Sequence, residues 1–234
     1  MPILECRSLT KRYGSTPALG PIDMGLEPGH IVGLLGPNGS GKTTLIKLAT
    51  GLLQPTVGEI LIDGQKPGPK SAAIVSYLPE RMALSLWMNV RQQMDFYQDF
   101  YADFDREAAQ RMAEQLGLDE KMTVRQMSKG MREKLQLILT MARQAKLYLL
   151  DEPMAGVDPA TRDYILHTIL SGYRPDACIL ISTHLISDVE QVLDDAVFLN
   201  KGQIVLAGSC DELRQAHGKS IDGIFREVFK CWEN

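Results

Sequence analysis

A glycine-rich segment between an apolar run and a helix is the feature that most constrains this chain. Residues 31–35 are apolar and predict one buried strand. Residues 36–44, Gly-Pro-Asn-Gly-Ser-Gly-Lys-Thr-Thr, match G-x-x-x-x-G-K-[ST], the pattern of a phosphate-binding loop. Leu45 and Leu48 then predict the apolar face of a helix. The order of strand, loop and helix is the context that this motif requires.

The residue types in this loop suit the binding of a nucleotide's phosphates. Glycine tolerates positive φ, so a loop with three glycines can turn its backbone N–H groups inward. The helix N-terminus adds further N–H groups and a partial positive charge. Lys42 is expected to reach the β- and γ-phosphates, and the Thr43 hydroxyl to bind Mg²⁺. The predicted phosphate-binding residues are Gly36, Pro37, Asn38, Gly39, Ser40, Gly41, Lys42, Thr43 and Thr44.

The overall composition limits the classes of protein to which this chain can belong. With 234 residues, 44% of them hydrophobic, the chain can bury a sizeable core in one large domain or two small ones. A net charge of −4 without a basic block disfavours nucleic acid as a main partner. We expect no membrane span, since no apolar run approaches ~18 residues. We also expect no signal peptide, since charged residues interrupt the N-terminal segment. The scattered cysteines favour a reducing compartment over a disulfide framework or zinc site: Cys6, Cys178, Cys210 and Cys231.

Two adjacent carboxylates form the second strong signal. Residues 147–150, Leu-Tyr-Leu-Leu, are apolar and are followed at once by Asp151 and Glu152. In enzymes with a phosphate-binding loop, an aspartate at such a strand end helps to hold Mg²⁺. A neighbouring glutamate can orient or deprotonate the attacking water. Adjacent acids in a loop are usually only solvated, but here their position predicts a catalytic role.

Five other residues carry local signals that fit either function or structure. Tyr13 precedes a loop and could stack on a base or be an ordinary strand-end tyrosine. Ser128 opens a helix, as an anion site or as a plain cap. Glu80, after an apolar strand predicted over 72–78, could meet a metal or water. Asp158 is fully explained as the cap of a helix whose first residue is proline. His184 ends an apolar strand and is equally consistent with either role.

Hydrophobic periodicity outlines the rest of the chain. Short strands are predicted at 3–9, 22–26 and 58–64, and a hairpin around residues 200–202. Between 85 and 144 the periodicity is helical, with helices at 89–101, 105–116 and 128–144. Asp105 is an N-cap candidate for the second of these helices, and residues 209–212, Ser-Cys-Asp-Glu, predict a capping box that begins at Ser209. This stretch predicts a helical subdomain at about 84–145. Residues 209–234 predict a C-terminal helical tail whose apolar face includes Trp232.

Taken together, these motifs resemble the ATP-binding subunit of an ABC transporter. Residues 36–44 match Walker A, 147–152 Walker B with its following glutamate, and 128–130 the signature; residues 155–158 match the D-loop and 182–184 the switch. All five come in the family order and spacing, and the resemblance covers nearly the whole chain. The resemblance implies one ABC ATPase domain over residues 1–234. Its expected α/β fold has a mostly parallel core sheet, an antiparallel β subdomain and a helical subdomain.

The resemblance also assigns roles within the site. It implies ATP and Mg²⁺ as cofactors, with Lys42, Glu152 and His184 as the catalytic group: Glu152 activates water and His184 senses the γ-phosphate. Thr43, Glu80 and Asp151 would serve Mg²⁺. The implied nucleotide contacts outside the phosphate loop are Tyr13 on the adenine, and Ser128, Gly130 and Asp158.

The expected partners follow from the same resemblance. Two ATP-binding subunits, identical or different, would face head to tail, so that Ser128 and Gly130 of one cap the ATP of the other. A membrane-spanning permease on a separate chain would dock near residues 79–93, with this chain held at the cytoplasmic face of the membrane. No nucleic acid is expected. Transported substrate, direction and permease identity are not encoded in these motifs.

Two residues depart from the family pattern. The signature Leu-Ser-Gly-Gly-Gln is here Met-Ser-Lys-Gly-Met at 127–131, and Glu80 stands where the family has glutamine. We expect these two departures to affect the rate of ATP turnover more than the binding of nucleotide. Signatures of the Ser-Lys-Gly-Met kind resemble subunits serving efflux-type, ABC-2 permeases. The alternative is an ATP-gated regulatory subunit or an ABC protein without a transport role; a P-loop kinase would not need the signature helix.

Overall fold

Two β-sheets carry the site. The computed structural model describes residues 1–154, 159–172, 174 and 176–230. The strands are β1 (Leu4–Tyr13), β2 (Thr16–Leu26), β3 (Ile31–Leu35), β4 (Val57–Ile62), β5 (Val75–Leu78), β6 (Leu147–Asp151), β7 (Cys178–Thr183), β8 (Asp195–Asn200) and β9 (Gln203–Ser209). The core sheet has the order β5–β6–β7–β3–β8–β9, in which only β9 runs antiparallel to its neighbour.

The middle of the core sheet explains why the motifs meet. Every residue of β3, β6 and β7 is buried, as expected for parallel strands with helices on both faces. Because these strands are parallel neighbours, their carboxyl ends lie at one edge of the sheet. The phosphate-binding loop, Asp151 and Thr183 therefore come together at that edge. A ligand site at this edge is the general expectation for an open α/β sheet.

The second sheet is antiparallel, in the order β2–β1–β4. Its first two strands are longer than the predicted spans of 3–9 and 22–26, and Gly14 and Ser15 alone form the turn between them. The predicted spans were too short because they followed apolar residues. One face of an antiparallel sheet can meet water, so β1 continues through the polar Lys11 and Arg12, which pair with Leu19 and Pro17 of β2.

The helices mostly follow the predicted spans. They are α1 (Lys42–Ala49), α2 (Pro69–Ala72), α3 (Val90–Phe100), α4 (Arg106–Gln115), α5 (Lys129–Met141), α6 (Pro159–Gly172), α7 (Ile186–Val189), α8 (Cys210–His217) and α9 (Ile221–Lys230), with a 3₁₀ turn at Val124–Gln126. Side chains of Asn89, Asp105 and Ser209 cap α3, α4 and α8. These caps accept the free N–H groups of the first turn, as predicted for Asp105 and Ser209. Trp232 lies outside the described residues.

The strand predicted over 72–78 was wrong in its first half. Ala72 ends the short helix α2, and the strand begins only at Val75. Pro69 favours the first turn of a helix because its φ is already fixed near the helical value. The Ser71 hydroxyl accepts from the Gly68 N–H at 2.8 Å and closes that turn. At the other end, α5 stops at Met141 instead of 144.

Residues between Leu84 and Ala142 form a hydrophobic cluster of their own, separate from the two clusters that cover the faces of the core sheet. Val90 and Met94 of α3 lie in it, as does Leu135 of α5. This cluster falls within the span predicted for a helical subdomain. α5 is the element it shares with the core, because Leu137 and Met141 of that helix belong to the core-sheet cluster.

Two buried polar side chains tie α5 to the segment around β5. Arg143, just after α5 and only 3% exposed, donates to the carbonyls of Ala73 and Val75 at 2.9 and 2.7 Å. It also pairs with Asp103 at 2.9 Å, which joins the loop after α3 to the same point. Gln136 donates to the Pro79 carbonyl at 3.0 Å, and its amide oxygen accepts from the N–H of Ala83 at 2.9 Å. The loop that carries Glu80 is therefore held at both ends by α5.

Candidate functional site

The phosphate-binding loop packs tightly against β8. A Cβ atom at Gly36 would lie 2.3 Å from the Leu199 carbonyl oxygen and 2.6 Å from the Ser40 hydroxyl. Gly41 has φ of +112° and immediately precedes α1. That backbone conformation is one that glycine adopts without strain. The strand–loop–helix context predicted from the motif is thus present, from β3 through the loop to α1.

Lys42 folds back over the loop and is 5% exposed. Its ammonium group donates to the carbonyls of Gly36 and Pro37 at 2.8 and 3.3 Å. It also forms an ion pair with Glu152, with 3.2 Å between Nζ and Oε1. A buried cation requires such partners, since an unpaired charge in the interior is strongly unfavourable. An arriving phosphate group would therefore compete with Glu152 for this ammonium group.

Asp151 is 1% exposed and is held by two hydroxyl groups. Its Oδ1 accepts from Ser182 at 2.7 Å and from Thr43 at 3.2 Å. Burial raises the pKa of this carboxyl above its ordinary value, the two hydrogen bonds lower it in part, and the carboxylates of Glu80 and Glu152 raise it further. Its other oxygen, Oδ2, is buried and has no hydrogen-bond partner among the described residues. A cation beside Oδ2 would compensate both features.

The donor set suits Mg²⁺ completed by a nucleotide. Mg²⁺ is usually bound through one or two carboxylates together with substrate phosphates and water. Asp151 and Thr43 supply hard oxygen donors, and Glu80 lines the same cavity as Thr43. Within the described part of the chain, no group of three or more His, Cys, Asp or Glu could hold a metal ion without help.

Glu152 follows Asp151 in a left-handed backbone conformation, with φ of +51°. Such a φ is uncommon for residues other than glycine and is found preferentially at functional sites. The Glu152 N–H donates to the Ser182 carbonyl and hydroxyl oxygens at 3.1 Å each. Its Oε2 lies 2.9 Å from Nδ1 of His184. The parallel pairing of Asp151 with Ser182 therefore brings Glu152 and His184 together.

A cavity of about 640 Å³ opens over the phosphate loop. Residues predicted for the site that line it are Asn38, Gly39, Ser40, Gly41, Lys42, Thr43, Thr44, Glu80 and Glu152. Thr16, Pro17, Ala18 and Lys201 also line it. The structure thus brings the phosphate loop, Glu80 and the residue after Asp151 to one cavity.

Tyr13 does not line this cavity. It is 51% exposed at the end of β1, where the Lys11 ammonium group lies 5.5 Å from the centre of its ring. The cavity is lined from this side by the start of β2, through Thr16 and Pro17. A stacking role for Tyr13 on adenine remains a prediction.

The start of α5 also lies apart from the phosphate cavity. Ser128 is exposed, and its hydroxyl accepts from the Met131 N–H at 3.3 Å, so it acts as a helix cap. Among the residues that the structure describes, a Cβ atom at Gly130 would meet nothing within 4 Å beyond its own stretch of helix. Lys129 is exposed, and its ammonium group lies 3.6 Å from the Glu133 carboxylate; both residues line a smaller cavity of about 230 Å³, which shares Glu80 and Glu152 with the phosphate cavity. Asp158 and the rest of 155–158 lie outside the described residues.

Ser182 is a site residue to which the sequence reasoning assigned no separate role. It binds Asp151 and Glu152 at once, from a position that is fully buried. The available signal was a hydroxyl residue at the end of an otherwise apolar strand, where it must find a polar partner. The strand register that selects Asp151 as that partner could not be inferred from local pattern.

Comparison with known proteins places these features in one class. The profile of the ABC transporter family matches residues 19–155. The chain is 30% identical over 227 residues to the daunorubicin resistance ATP-binding protein DrrA3 of Streptomyces coeruleorubidus, covering 93% of this chain and 72% of that protein. It is 28% identical to the ABC-type transporter ATP-binding protein EcsA of Bacillus subtilis, covering 98% of each. A solved ATP-binding subunit of an ABC transporter superposes with a TM-score of 0.86 at 27% identity, covering 97% and 99%.

The chain belongs to the ABC transporter family, as an ATP-binding subunit, and is an ATPase of that class. The predicted fold class is confirmed, with a mostly parallel core sheet, an antiparallel sheet and a helical region. In the described part of the chain, no helix has both the length and the apolar character needed to cross a membrane.

Proposed function

We propose that this chain binds ATP and Mg²⁺ in the cavity over the phosphate loop and hydrolyses ATP with Glu152 as the base, to energise a separate membrane permease. The observation that carries the proposal is the placement of Glu152 between Lys42 and His184, at 3.2 and 2.9 Å. A general base must lie within hydrogen-bond reach of the attacking water, and a glutamate carboxylate can fill this role. This carboxylate lies on the lining of the nucleotide cavity.

Nucleotide binding would change the partners of Lys42. The ammonium group now shares its charge with Glu152 and two loop carbonyls. Phosphate oxygens carry more negative charge than a carbonyl and form stronger hydrogen bonds. The ammonium group would exchange Glu152 for the β- and γ-phosphates, and the released carboxylate could then accept a proton from water. His184 would keep that carboxylate oriented through its 2.9 Å contact and would reach towards the γ-phosphate.

Thr43, Asp151 and Glu80 would hold Mg²⁺, which neutralises charge that develops on the phosphates. The unpartnered Oδ2 of Asp151 supports this assignment. Ser182 would keep Asp151 oriented by its 2.7 Å hydrogen bond.

The proposed working unit contains two ATP-binding subunits. Ser128 and Gly130 lie at an exposed helix start, away from the phosphate cavity of their own chain. A second copy or a different subunit, facing head to tail, could receive this helix start on its bound phosphates, because helix N-termini favour anions. Asp158 is proposed to contact the nucleotide, and Tyr13 to contact its base.

The proposed membrane partner is an efflux-type permease, with this chain at the cytoplasmic face. DrrA3 is named for daunorubicin resistance, which supports an efflux role. Met82, Leu86 and Trp87 are exposed apolar residues after β5, and Trp87 is 68% exposed. Exposed apolar residues grouped on a surface often mark a partner interface. Trp87→Ala with Met82→Ala should reduce recovery of the chain with membranes, whereas Val57→Ala, at a comparably exposed residue of β4, should not. Unchanged membrane recovery would mean that the permease docks elsewhere.

Size-exclusion chromatography of Glu152→Gln, with and without ATP and Mg²⁺, tests the central proposal alongside phosphate release by the wild type. We expect an ATP-dependent shift to a dimer, and release only by the wild type. A protein that binds ATP yet stays monomeric would contradict a simple homodimer and require a different subunit or the permease. Equal phosphate release by both proteins would remove Glu152 from the role of base.

A further inference from the structure

The turn between β8 and β9 contributes to the nucleotide cavity, although no motif assigns it a role. Lys201 lines the cavity from this turn, beside Thr16, Pro17 and Ala18 of β2 and the residues of the phosphate loop. The family profile, which ends at residue 155, does not extend to it. The turn therefore places a cationic residue at the proposed phosphate site, and this residue does not belong to the phosphate-loop motif.

Hydrogen bonds on two sides fix the turn. The Gly202 N–H donates to the Ser40 carbonyl of the phosphate loop at 2.8 Å. The Gly202 carbonyl accepts from the Gly20 N–H of β2 at 2.7 Å. A Cβ atom at Gly202 would lie 2.7 Å from the Ala18 carbonyl oxygen, so the two backbones are in close contact. The backbone of Lys201 is thus held at the rim of the cavity.

The conformation of Lys201 is the second observation. Its φ is +46° and that of Gly202 is +80°. Two-residue hairpin turns with positive φ at both residues strongly favour Asn-Gly or Gly-Gly, because other side chains are strained there. A lysine in this conformation retains a long cationic side chain at a position where a smaller residue would form the turn more readily. Strain that persists in this way is found preferentially at functional sites.

Within the cavity lining, Lys201 adjoins the residues of β2, because its neighbour Gly202 is in close contact with Ala18. Lys42 and Glu152 mark the end for the β- and γ-phosphates. The backbone of the loop cradles the α- and β-phosphates, so the ribose and base must extend away from Glu152. The lining residues at the other side are Thr16 to Ala18 of β2, against which the turn packs.

We infer that Lys201 is a nucleotide-binding residue that contacts the α-phosphate side of the bound ATP or ADP. This inference rests on the proposed nucleotide cavity. Lys201 is exposed, and an exposed ammonium group beside a phosphate contributes a modest, salt-sensitive attraction. Because ATP and ADP both carry the α-phosphate, the contribution should be the same for the two nucleotides. Lys42, whose predicted partners include the γ-phosphate, should instead distinguish them.

The test is the affinity of the full chain for ATP and for ADP, measured by titration with the Mg²⁺ nucleotides. Lys201→Met removes the charge. Lys201→Gly also removes it while relieving the positive φ, so that a folding defect is avoided. We expect both variants to weaken ATP and ADP binding by the same factor, roughly three- to tenfold. Lys201→Arg should stay close to the wild type, and Lys121→Met, at an exposed lysine outside the cavity lining, should be unchanged.

Each outcome bears on the inference. The loss in Lys201→Met should shrink as salt is raised from about 0.05 to about 0.5 M, since the Debye length falls well below 10 Å over that range. Wild-type affinity in both Lys201→Met and Lys201→Gly would overturn the contact but leave the proposed cavity intact. A loss for ATP alone would overturn the placement at the α-phosphate. A wild-type chain that binds neither nucleotide would overturn the proposed cavity and this inference together.

Discussion

The phosphate cavity and the start of α5 are both predicted to bind the phosphates of ATP, yet they are built in opposite ways. In the cavity, Lys42 and Asp151 are almost fully buried and already hold several partners within the chain. At the start of α5, Ser128 and Lys129 are exposed, and a Cβ at Gly130 would meet no described atom outside its own stretch of helix within 4 Å. The first region is preorganised by its own fold. The second presents donors outward, and its ligand must arrive with another molecule.

Glu152→Gln should give the largest effect, because it removes the base from the preorganised region. We expect phosphate release to fall by about 10²–10⁴-fold, the usual range for loss of a general base. ATP binding should be retained or tightened, since a neutral amide competes less than a carboxylate for the Lys42 ammonium group. Phosphate release and nucleotide titration measure the two effects. Glu107→Gln, at an exposed glutamate of α4, is the control; weaker ATP binding in Glu152→Gln would contradict competition at Lys42.

Gly36→Ala tests how tightly the same region is packed. The added Cβ would lie 2.3 Å from the Leu199 carbonyl oxygen, so the loop or β8 must shift. Overpacking of this kind costs about 1–3 kcal/mol, and we expect a lower melting temperature together with weaker ATP binding. Thermal unfolding with and without ATP measures both. An unchanged melting temperature would show that the loop is not fixed against β8.

Asp151→Asn should stabilise the nucleotide-free chain while lowering the rate of hydrolysis. The folded-state pKa of Asp151 is raised, so the folded protein binds this proton more tightly than the unfolded chain does. Stability is therefore lost as the pH rises from the unfolded-state pKa through the raised folded-state pKa. The neutral amide avoids that loss.

The melting temperature of Asp151→Asn should accordingly exceed that of the wild type at pH 7, and the difference should diminish as the pH is lowered towards the unfolded-state pKa. Thermal unfolding without nucleotide across this pH range is the measurement. A difference that grows on acidification would contradict a raised folded-state pKa at Asp151. Added Mg²⁺ and ATP should stabilise the wild type more than the variant.

Gly130→Ala is the counterpart of Gly36→Ala and should have the smallest effect on stability, with the opposite sign. A Cβ at Gly130 meets nothing, and alanine is favoured over glycine in a helix by up to about 1 kcal/mol. The melting temperature should be unchanged or slightly higher, and ATP binding to the isolated chain unchanged. Phosphate release should fall, because the methyl group would separate the helix start from a phosphate of the other subunit. Full activity would mean that no phosphate comes close to Gly130.

Sequence alone predicted the parts of this molecule that depend on local pattern. The phosphate loop, the strand before Asp151 and the caps at Asp105 and Ser209 each lie within a few neighbouring residues, and the structure has them as expected. The continuation of β1 through polar residues depends on pairing with β2, which local apolar pattern does not contain. The turn into α2 at Pro69 was likewise missed because the apolar run was given more weight than the proline.

Within the site, the missed features are long-range. Ser182 binds Asp151 only because β6 and β7 are adjacent and in that register. Lys201 reaches the cavity because the turn after β8 is hydrogen-bonded to the phosphate loop. Tyr13 is the opposite example: the sequence predicted a nucleotide contact, but Tyr13 does not line the cavity.

The anchoring of α5 has a mechanical consequence. This helix begins at the exposed Ser128, carries Gln136 at its middle and is followed at once by Arg143, a span of about 20 Å in a stiff rod. Gln136 is hydrogen-bonded to both sides of the loop that carries Glu80, and Arg143 is hydrogen-bonded to the first residue of β5. The exposed start of α5 and Gln136 belong to one continuous helix, so a displacement of that start would be passed directly to the loop that carries Glu80. Contact with a partner at the start of α5 would thus be registered inside the chain's own cavity as a displacement of that carboxylate.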